Sequence, residues 1–447
     1  MPVANHNNAL NCAEDWLLAC QQNSALRVSP ITWAECDSWH LSASAIEHQS
    51  GGFFSIRALA STACPGLAAA HAQPMINQPE IGILGFLLRR NGETVEWLLQ
   101  AKTEPGNQGG TQLAPSVQAT ESNYKQRHGG AATPYLDIFL NPGPHRVLAN
   151  VLGSEQGSRF IGKYNRNMSI LLQEDIDALP CSNLRWYPSQ VLRAFLLKDF
   201  ILNTDARSSL FCGDWSMLAE SKEPFADTQS EFTRSLANSY HHPHSRLATT
   251  LDWLSDLRQG PRPEVREIPL AQLSSWHASE ERLAHMTADD FEVRPYRVFT
   301  RDREVERWSQ PLVMGKRTNQ AILYCQEQDG VLHFLLRASW ELGFKEAFQL
   351  GPSWQSDAMA EQAGSVEALL EDERITTLCQ IQQSDEGGRF INSICTYRLS
   401  LLPPAVELPA EPHYRWLTLA DLHAMRSLQG LLTNEARSLL SMLLAWA

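Results

Sequence analysis

The sequence predicts an α+β protein built from two homologous modules, each a mixed β-sheet flanked by helices, produced by an internal duplication. Three observations carry this: the length, a self-similarity at constant shift, and short apolar runs alternating with stretches of helical spacing. The 447 residues exceed what one ordinary hydrophobic interior accommodates. A hydrophobic content of 43% with 19% charge describes a globular chain with ample core material.

The repeat is the strongest of the three signals. At the shift that brings Trp39-His40 onto Trp276-His277, Phe54 meets Phe291, Arg57 meets Arg294, and Gln73-Pro74 meets Gln310-Pro311. Residues 97–120 then lie on 334–357 without a gap, sharing Glu104/Glu341, Gly106/Gly343, Gln112-Leu113/Gln349-Leu350, Pro115/Pro352 and Ser116/Ser353. After one deletion a second constant shift aligns Arg159-Phe160 with Arg389-Phe390, Arg185-Trp186 with Arg415-Trp416, and Ala206-Arg207-Ser208 with Ala436-Arg437-Ser438. Chance does not keep such a register. The expected division is residues 1–225 for the first module, 226–265 for a connecting segment and 266–447 for the second module.

Each module reads in the same order. ILGFLLRR and VEWLLQAK in the first, AILYCQEQ and VLHFLLRA in the second, are short apolar runs bounded by Gly or Asn-Gly, as strands are. RFIGKYNRNMSILL and RFINSICTYRLSLL predict a later strand pair. PSQVLRAFLLKDF and LTLADLHAMRSLQGLLTNEARSLLSMLLAWA carry apolar residues at helical spacing after Pro-Ser or Thr. Between the modules the chain is richer in Ser, Pro, His and charge, and SRLATTLDWLSDLRQ predicts a connecting helix closed by Gly260-Pro261. Two such modules pack naturally about a pseudo-twofold axis, with ligand sites at strand ends or between them.

Composition excludes several classes. A net charge of −13 opposes nucleic-acid binding, although a few buried Arg or Lys can still hold a diphosphate. No run approaches the ~18 apolar residues of a membrane span. The start, MPVANHNNALNCAEDWLLAC, lacks a basic region leading into an apolar stretch, so the expected location is the cytoplasm, with no membrane partner. The nine cysteines form no C-x-x-C pair, which predicts free buried thiols and no metal site. His241-His242-Pro243-His244 has no Cys or carboxylate partners nearby in sequence and reads as loop. No G-x-G-x-x-G, Walker A, G-x-S-x-G or H-E-x-x-H motif is present.

The densest polar cluster follows the first repeat strand pair. AKTEPGNQGG sets Lys102 and Glu104 two residues apart, on one side if the strand persists, ahead of a Gly-rich turn. QLAPSVQATESNYKQRHGG then presents Ser116, Gln118 and Thr120, followed by Ser122-Asn123-Tyr124 and His128-Gly129-Gly130. Such a loop offers hydroxyls, amides and backbone N–H groups to phosphate or sugar oxygens. A polar hairpin whose Ser and Asn satisfy backbone groups explains the same composition, and composition alone slightly favours it. The repeated Trp39 and Trp276 suit either base stacking or a core. The repeated arginines suit either a diphosphate clamp or carboxylate anchoring.

On QAKTEPGNQGGTQLAPSVQATESNY and the later HGG, the chain resembles the NDP-hexose 2,3-dehydratases of deoxysugar biosynthesis. The likeness extends across nearly all of it, including EGGRF at 386–390 and NEARSLL at 434–440. The resemblance implies a doubled Nudix-like fold, here without the hydrolytic Nudix box. It implies elimination of the C2 hydroxyl from a dTDP-linked or other NDP-linked 4-keto-6-deoxyhexose, without a cofactor. It further implies a homodimer and a downstream 3-ketoreductase that consumes the diketone. By resemblance, Lys102, Glu104, Tyr124 and His128 supply the base, the enolate stabilisation and the leaving-group acid. Thr120, Glu121, Ser122, Asn123, Tyr124, Trp39 and Arg159, with Trp276, Ser353, Arg389 and Asn392 of the second module, contact the substrate. Glu121 stands where the family pattern has a basic residue, and Ile391-Asn392 where it has an aromatic or His. Ser339 stands opposite Lys102, and the second module lacks the T-x-S-N-Y loop, so catalysis is expected in the first module only. Rival readings are a non-catalytic sugar-nucleotide binding protein, a keto-sugar epimerase using the same deprotonation, and a metal-dependent Nudix-type hydrolase.

Overall fold

Two seven-stranded mixed sheets, one per repeat, sit beside two smaller antiparallel-rich sheets that the repeats build jointly. The computed structural model describes residues 2–120, 133–174, 176, 179, 181–220, 223–243, 245–301, 305–408 and 410–447. The first repeat begins with β1 (Arg27–Pro30), β2 (Trp39–Leu41), β3 (Ile46–His48), β4 (Ser55–Ser61) and β5 (His71–Asn77). Its large sheet comprises β6 (Gly82–Asn91), β7 (Thr94–Thr103), β8 (Thr111–Pro115), β9 (Val117–Ala119), β10 (Arg146–Ser154), β11 (Tyr164–Leu171) and β12 (Leu184–Pro188). The second repeat runs β13 (Val265–Ile268), β14 (Trp276–Ala278), β15 (Leu283–His285), β16 (Phe291–Phe299) and β17 (Arg307–Gly315). It continues with β18 (Thr318–Gln328), β19 (Val331–Trp340), β20 (Phe348–Gly351), β21 (Trp354–Gln355), β22 (Thr376–Ser384), β23 (Phe390–Ile391), β24 (Ile394–Leu402) and β25 (Tyr414–Thr418). Every run expected as a strand is one, and the α+β class of two like modules is what the chain forms.

The large sheets follow one plan. The first has the order β10-β11-β6-β7-β12, with β11 parallel to β6; the second has β22-β24-β18-β19-β25, with β24 parallel to β18. In each, the central hairpin splays open and the next two strands occupy the gap: β8 on β7 and β9 on β6, then β20 on β19 and β21 on β18. A buried serine closes each fork. Ser116 Oγ accepts from Leu87 N–H at 2.9 Å and donates to the Leu98 carbonyl at 2.7 Å. Ser353 Oγ accepts from Tyr324 N–H at 2.9 Å and donates to the Leu335 carbonyl. Backbone groups that separating strands would leave bare thereby gain partners. Ser353 has no exposed surface.

The small sheets interlock the repeats. β1 precedes the first repeat's small strands yet pairs with β16, while its counterpart β13 pairs with β4. Each repeat thus lends its first strand to the other. The connecting segment carries two helices among its described residues. Its helix Glu231–Tyr240 packs on β19 through Ser239 Oγ, which donates to the Leu332 carbonyl and accepts from Leu419 N–H at 2.7 Å. The expected helix spans Leu247–Gln259 and ends at Gly260.

Helices Thr204–Cys212 and Asn434–Leu443 pack on one another across the axis, capped by Asn203 and Thr433. Phe160 and Phe390 meet near it with ring centroids 5.7 Å apart. One apolar core draws buried residues from both large sheets, among them Phe86, Trp97, Phe334 and Leu350. The two repeats share an interior rather than meeting as separate bodies.

Candidate functional site

Each repeat inserts the turn after its hairpin into the G-x-R-F segment of the other. Gly106 N–H donates to the Gly387 carbonyl at 2.9 Å, and Gly343 N–H donates to the Gly157 carbonyl at 2.8 Å. Only glycine fits: a Cβ on Gly106 would stand 1.8 Å from the Phe390 carbonyl oxygen, and one on Gly343 1.8 Å from that of Phe160. Gln73 and Gln310 brace the same segments, donating to the carbonyls of Ser158 and Gly388 at 2.6 and 2.8 Å. The repeats therefore build two corresponding polar sites, each with walls from both.

The first site centres on Lys102 and Glu104. β7 ends at Thr103, and Lys102 Nζ lies 3.1 Å from Glu104 Oε1, with the carboxylate buried and the lysine partly accessible. Glu104 N–H donates to the Gly110 carbonyl at 3.0 Å, and Asn107 Nδ2 donates to the Lys102 carbonyl at 3.2 Å, so the turn is tied down at both ends. Around the pair stand Glu155, Asp205 and, from the second repeat, Glu386 and Arg389. Burial pushes Glu155 up to about 7, against Arg437. Asp205, in the first turn of helix Thr204–Cys212, is driven well above the carboxylate range by burial and by Glu155, Glu386 and Glu104, with Lys102 opposing. Burial lowers the Lys163 ammonium to about 8. Protons are therefore exchangeable near neutrality inside this cluster.

The second site keeps the frame with a different set of charges. Glu341 occupies the place of Glu104, Asp385 that of Glu155, Glu435 that of Asp205 and Arg159 that of Arg389, but Ser339 replaces Lys102. Neither Glu341 oxygen has a hydrogen-bond partner among the described residues, and burial, then Glu435 and Asp357, hold its carboxyl well above its usual range. Asp385 is raised to about 6 by burial and accepts from Gln156 Nε2 at 2.6 Å and Ser393 Oγ at 2.5 Å.

The structure brings together only some of the residues singled out in the sequence. Lys102, Glu104 and Arg389 converge on the first site; Arg159 belongs to the second, with Asp290 at 3.3 Å and its guanidinium 4.3 Å from the Phe291 ring centre. Arg389 mirrors it over Phe54 at 4.3 Å. Thr120 is half-buried just past β9. Trp39 is buried on Phe54, ring centroids 4.9 Å apart, in the core of the small sheets, and Trp276 packs on Phe291 and donates from Nε1 to the Ala72 carbonyl at 3.2 Å. Trp39 follows the core alternative, and Trp276 is partly buried against the same cluster. Ser353 closes its fork and reaches no surface. Asn392 has φ 51, matching the φ of 51 at its counterpart Gly162, so it serves a left-handed turn that Asn tolerates. Glu121, Ser122, Asn123, Tyr124 and His128 lie outside the described residues. Glu155, Lys163, Asp205 and Glu386 were missed from sequence; aligning the repeats position by position around each G-x-R-F and helix start is the signal that would have found them.

Carboxylates and ammonium groups gathered between two walls mark a doubled α+β protein with a polar site in each half. The chain belongs to the NDP-hexose 2,3-dehydratase family, whose model matches residues 10–212 and 247–443. It is 32% identical over 439 residues to a dTDP-4-dehydro-6-deoxy-α-D-glucopyranose 2,3-dehydratase of Saccharopolyspora spinosa, covering 96% of this chain and 90% of that protein. A protein of the same description from Amycolatopsis orientalis is 30% identical over 441 residues, covering 95% and 88%. Among solved structures, an Ap4A hydrolase of C. elegans aligns with 25% of this chain and 90% of its own at 17% identity, with a TM-score of 0.17.

Proposed function

We propose that this chain dehydrates a dTDP-linked 4-keto-6-deoxyhexose across C2 and C3. The Lys102–Glu104 pair at 3.1 Å, set on the inter-repeat turn and lacking its lysine in the second repeat, is the observation that carries the reading. The substrate's C4 ketone acidifies the C3 proton. Glu104 takes that proton, and the Lys102 ammonium beside it stabilises the enolate oxygen that develops at C4. The enolate electrons return to form the C2=C3 bond as the C2 hydroxyl leaves as water, protonated by an acid for which Tyr124 and His128 are the candidates. The product enol carries its hydroxyl on C3 and tautomerises to the 3,4-diketo-2,6-dideoxy sugar. The balance is one water lost, with no electrons gained or lost.

Arg389, whose guanidinium is placed from the second repeat, supplies a cation for the diphosphate. The reactive diketone favours prompt reduction, which supports coupling to a 3-ketoreductase. Incubation with dTDP-4-keto-6-deoxyglucose should give a product lighter by one water in mass spectra, and Lys102→Ala should reduce turnover by about 100-fold or more. Deuterium entering C3 with the C2 hydroxyl retained would make the protein an epimerase instead.

A further inference from the structure

The two polar sites of this chain are internal controls for each other. The internal repeat relates them, both are enclosed by a turn of one repeat and a G-x-R-F segment of the other, and both keep three acids and an arginine in matching places. Packing and folding therefore account for what the sites share. What differs needs another cause. Among the positions that differ in ionisable character, Lys102 faces Ser339, Lys163 faces Ser393, Glu386 faces Gln156 and Thr120 faces Asp357. The Glu386/Gln156 difference is the most telling, because the two side chains have the same shape and differ only in the ability to carry charge.

We propose that Glu386, contributed by the second repeat, is a positioning residue for the dehydration, setting the charge state in which the Lys102–Glu104 pair works. The inference rests on the reading of that pair as the reacting site. The geometry places Glu386 against it. Glu386 Oε1 accepts the N–H of Gly388 at 3.2 Å, which folds the Glu386–Gly388 turn onto the first repeat. A Cβ on Gly387 would stand 2.9 Å from Glu104 Cβ, and one on Gly388 would stand 3.6 Å from Glu104 Oε1. The turn is held there by the Gly106 N–H bond to the Gly387 carbonyl.

The charges facing Glu386 come from every neighbouring element. Arg389 and Lys102 favour its ionised form; Glu104, and behind it Glu155 and Asp205, oppose it. Lys163 reaches the same cluster from beyond β10, its ammonium donating to the Glu80 carbonyl and its backbone carbonyl accepting from Glu155 N–H at 3.0 Å. Burial raises the Glu386 carboxyl above its ordinary range. A negative Glu386 beside the pair favours the arrival of a proton in the cluster, which is what removal of the C3 hydrogen delivers. The second site, with glutamine there, lacks this particular charge, and Glu435 and Asp357 face Glu341 instead.

Glu386→Gln imposes the residue used by the second repeat and preserves the bond to Gly388, so the variant should fold. With dTDP-4-keto-6-deoxyglucose as substrate, kcat should fall about tenfold with KM changed less, and the acidic limb of the kcat/KM profile should move about one pH unit lower. Glu386→Asp, which keeps the charge, should restore most of the turnover and return the limb toward its original position. A folded Glu386→Gln variant with unchanged kcat and an unmoved profile overturns the proposal. Should the glutamine variant fail to fold, the aspartate variant carries the test, and loss of turnover in it equal to complete inactivation overturns the charge argument. Absence of dehydration by the unaltered protein would instead remove the proposed reaction, a separate outcome.

Discussion

Replacing Gly106 by alanine tests the architecture and the assignment of catalysis together. The added Cβ would stand 1.8 Å from the Phe390 carbonyl oxygen, whereas real Cβ atoms essentially never approach below 3.0 Å. One backbone must therefore retreat by at least about 1.2 Å, and because both partners are main chain the cost belongs at the upper end of overpacking, ~3 kcal/mol. The unfolding entropy of ~2.1 cal/mol/K per residue sums to ~0.9 kcal/mol/K over this chain, so a cooperative melt should drop by about 3 °C. The same displacement drags Glu104, bonded within the turn to Asn107 N–H at 3.2 Å. A shift of ~1 Å in a reacting group costs about 100-fold in rate, so kcat should fall by that order. Gly343→Ala meets the equivalent clash with the Phe160 carbonyl at 1.8 Å, in the turn that has no lysine. Its melting temperature should fall alike, with a kcat loss at least about tenfold smaller. Calorimetry and steady-state kinetics on both variants decide the matter. An unchanged melt for Gly106→Ala refutes the clash, and equal kcat losses refute catalysis by the first repeat.

The fork serines predict a matched pair: Ser116→Ala and Ser353→Ala each strip partners from one buried N–H and one carbonyl, and each should cost about 2 kcal/mol in urea unfolding. A much smaller loss at either would remove the fork role. Glu435, raised to about 7 by burial with Asp357 and Asp385 opposing its charge, binds a proton more tightly folded than unfolded. Wild-type stability contributed by this group should therefore fall as pH rises from ~4.5 to ~7, then level off. Glu435→Gln should be relatively most stabilising above pH 7, and a difference from wild type that does not vary with pH counts against the buried charge. Because β1 and β13 are exchanged, residues 1–260 and 261–447 expressed separately should fail to give monodisperse species in size-exclusion chromatography, and should recover a single heterodimer when coexpressed. Two stable, separate monomers would contradict the interlock.

Much of this protein was legible in one dimension. The duplication is visible as a constant shift, the strands as apolar runs, the helices as spacing, and the Lys102–Glu104 pair as a polar break at the end of a strand. These features are local, since side-chain period and backbone propensity act over a few residues. The family is legible for the same reason, through a contiguous motif.

Tertiary structure decided the rest. Nothing local distinguishes Ser353 at a splayed hairpin from a ligand-binding serine; the difference lies in which backbone groups surround it. Trp39 suits either a stacking platform or a core by sequence, and it is Phe54 and the small sheet that close over it. Asn392 is explained by its left-handed backbone, a property of the turn rather than the side chain. The exchange of β1 and β13, and the approach of Glu386 to Glu104, join segments hundreds of positions apart that share no periodicity. Such contacts exist only once both repeats fold about a common axis, because burial and Coulomb interaction depend on distance in space and not along the chain.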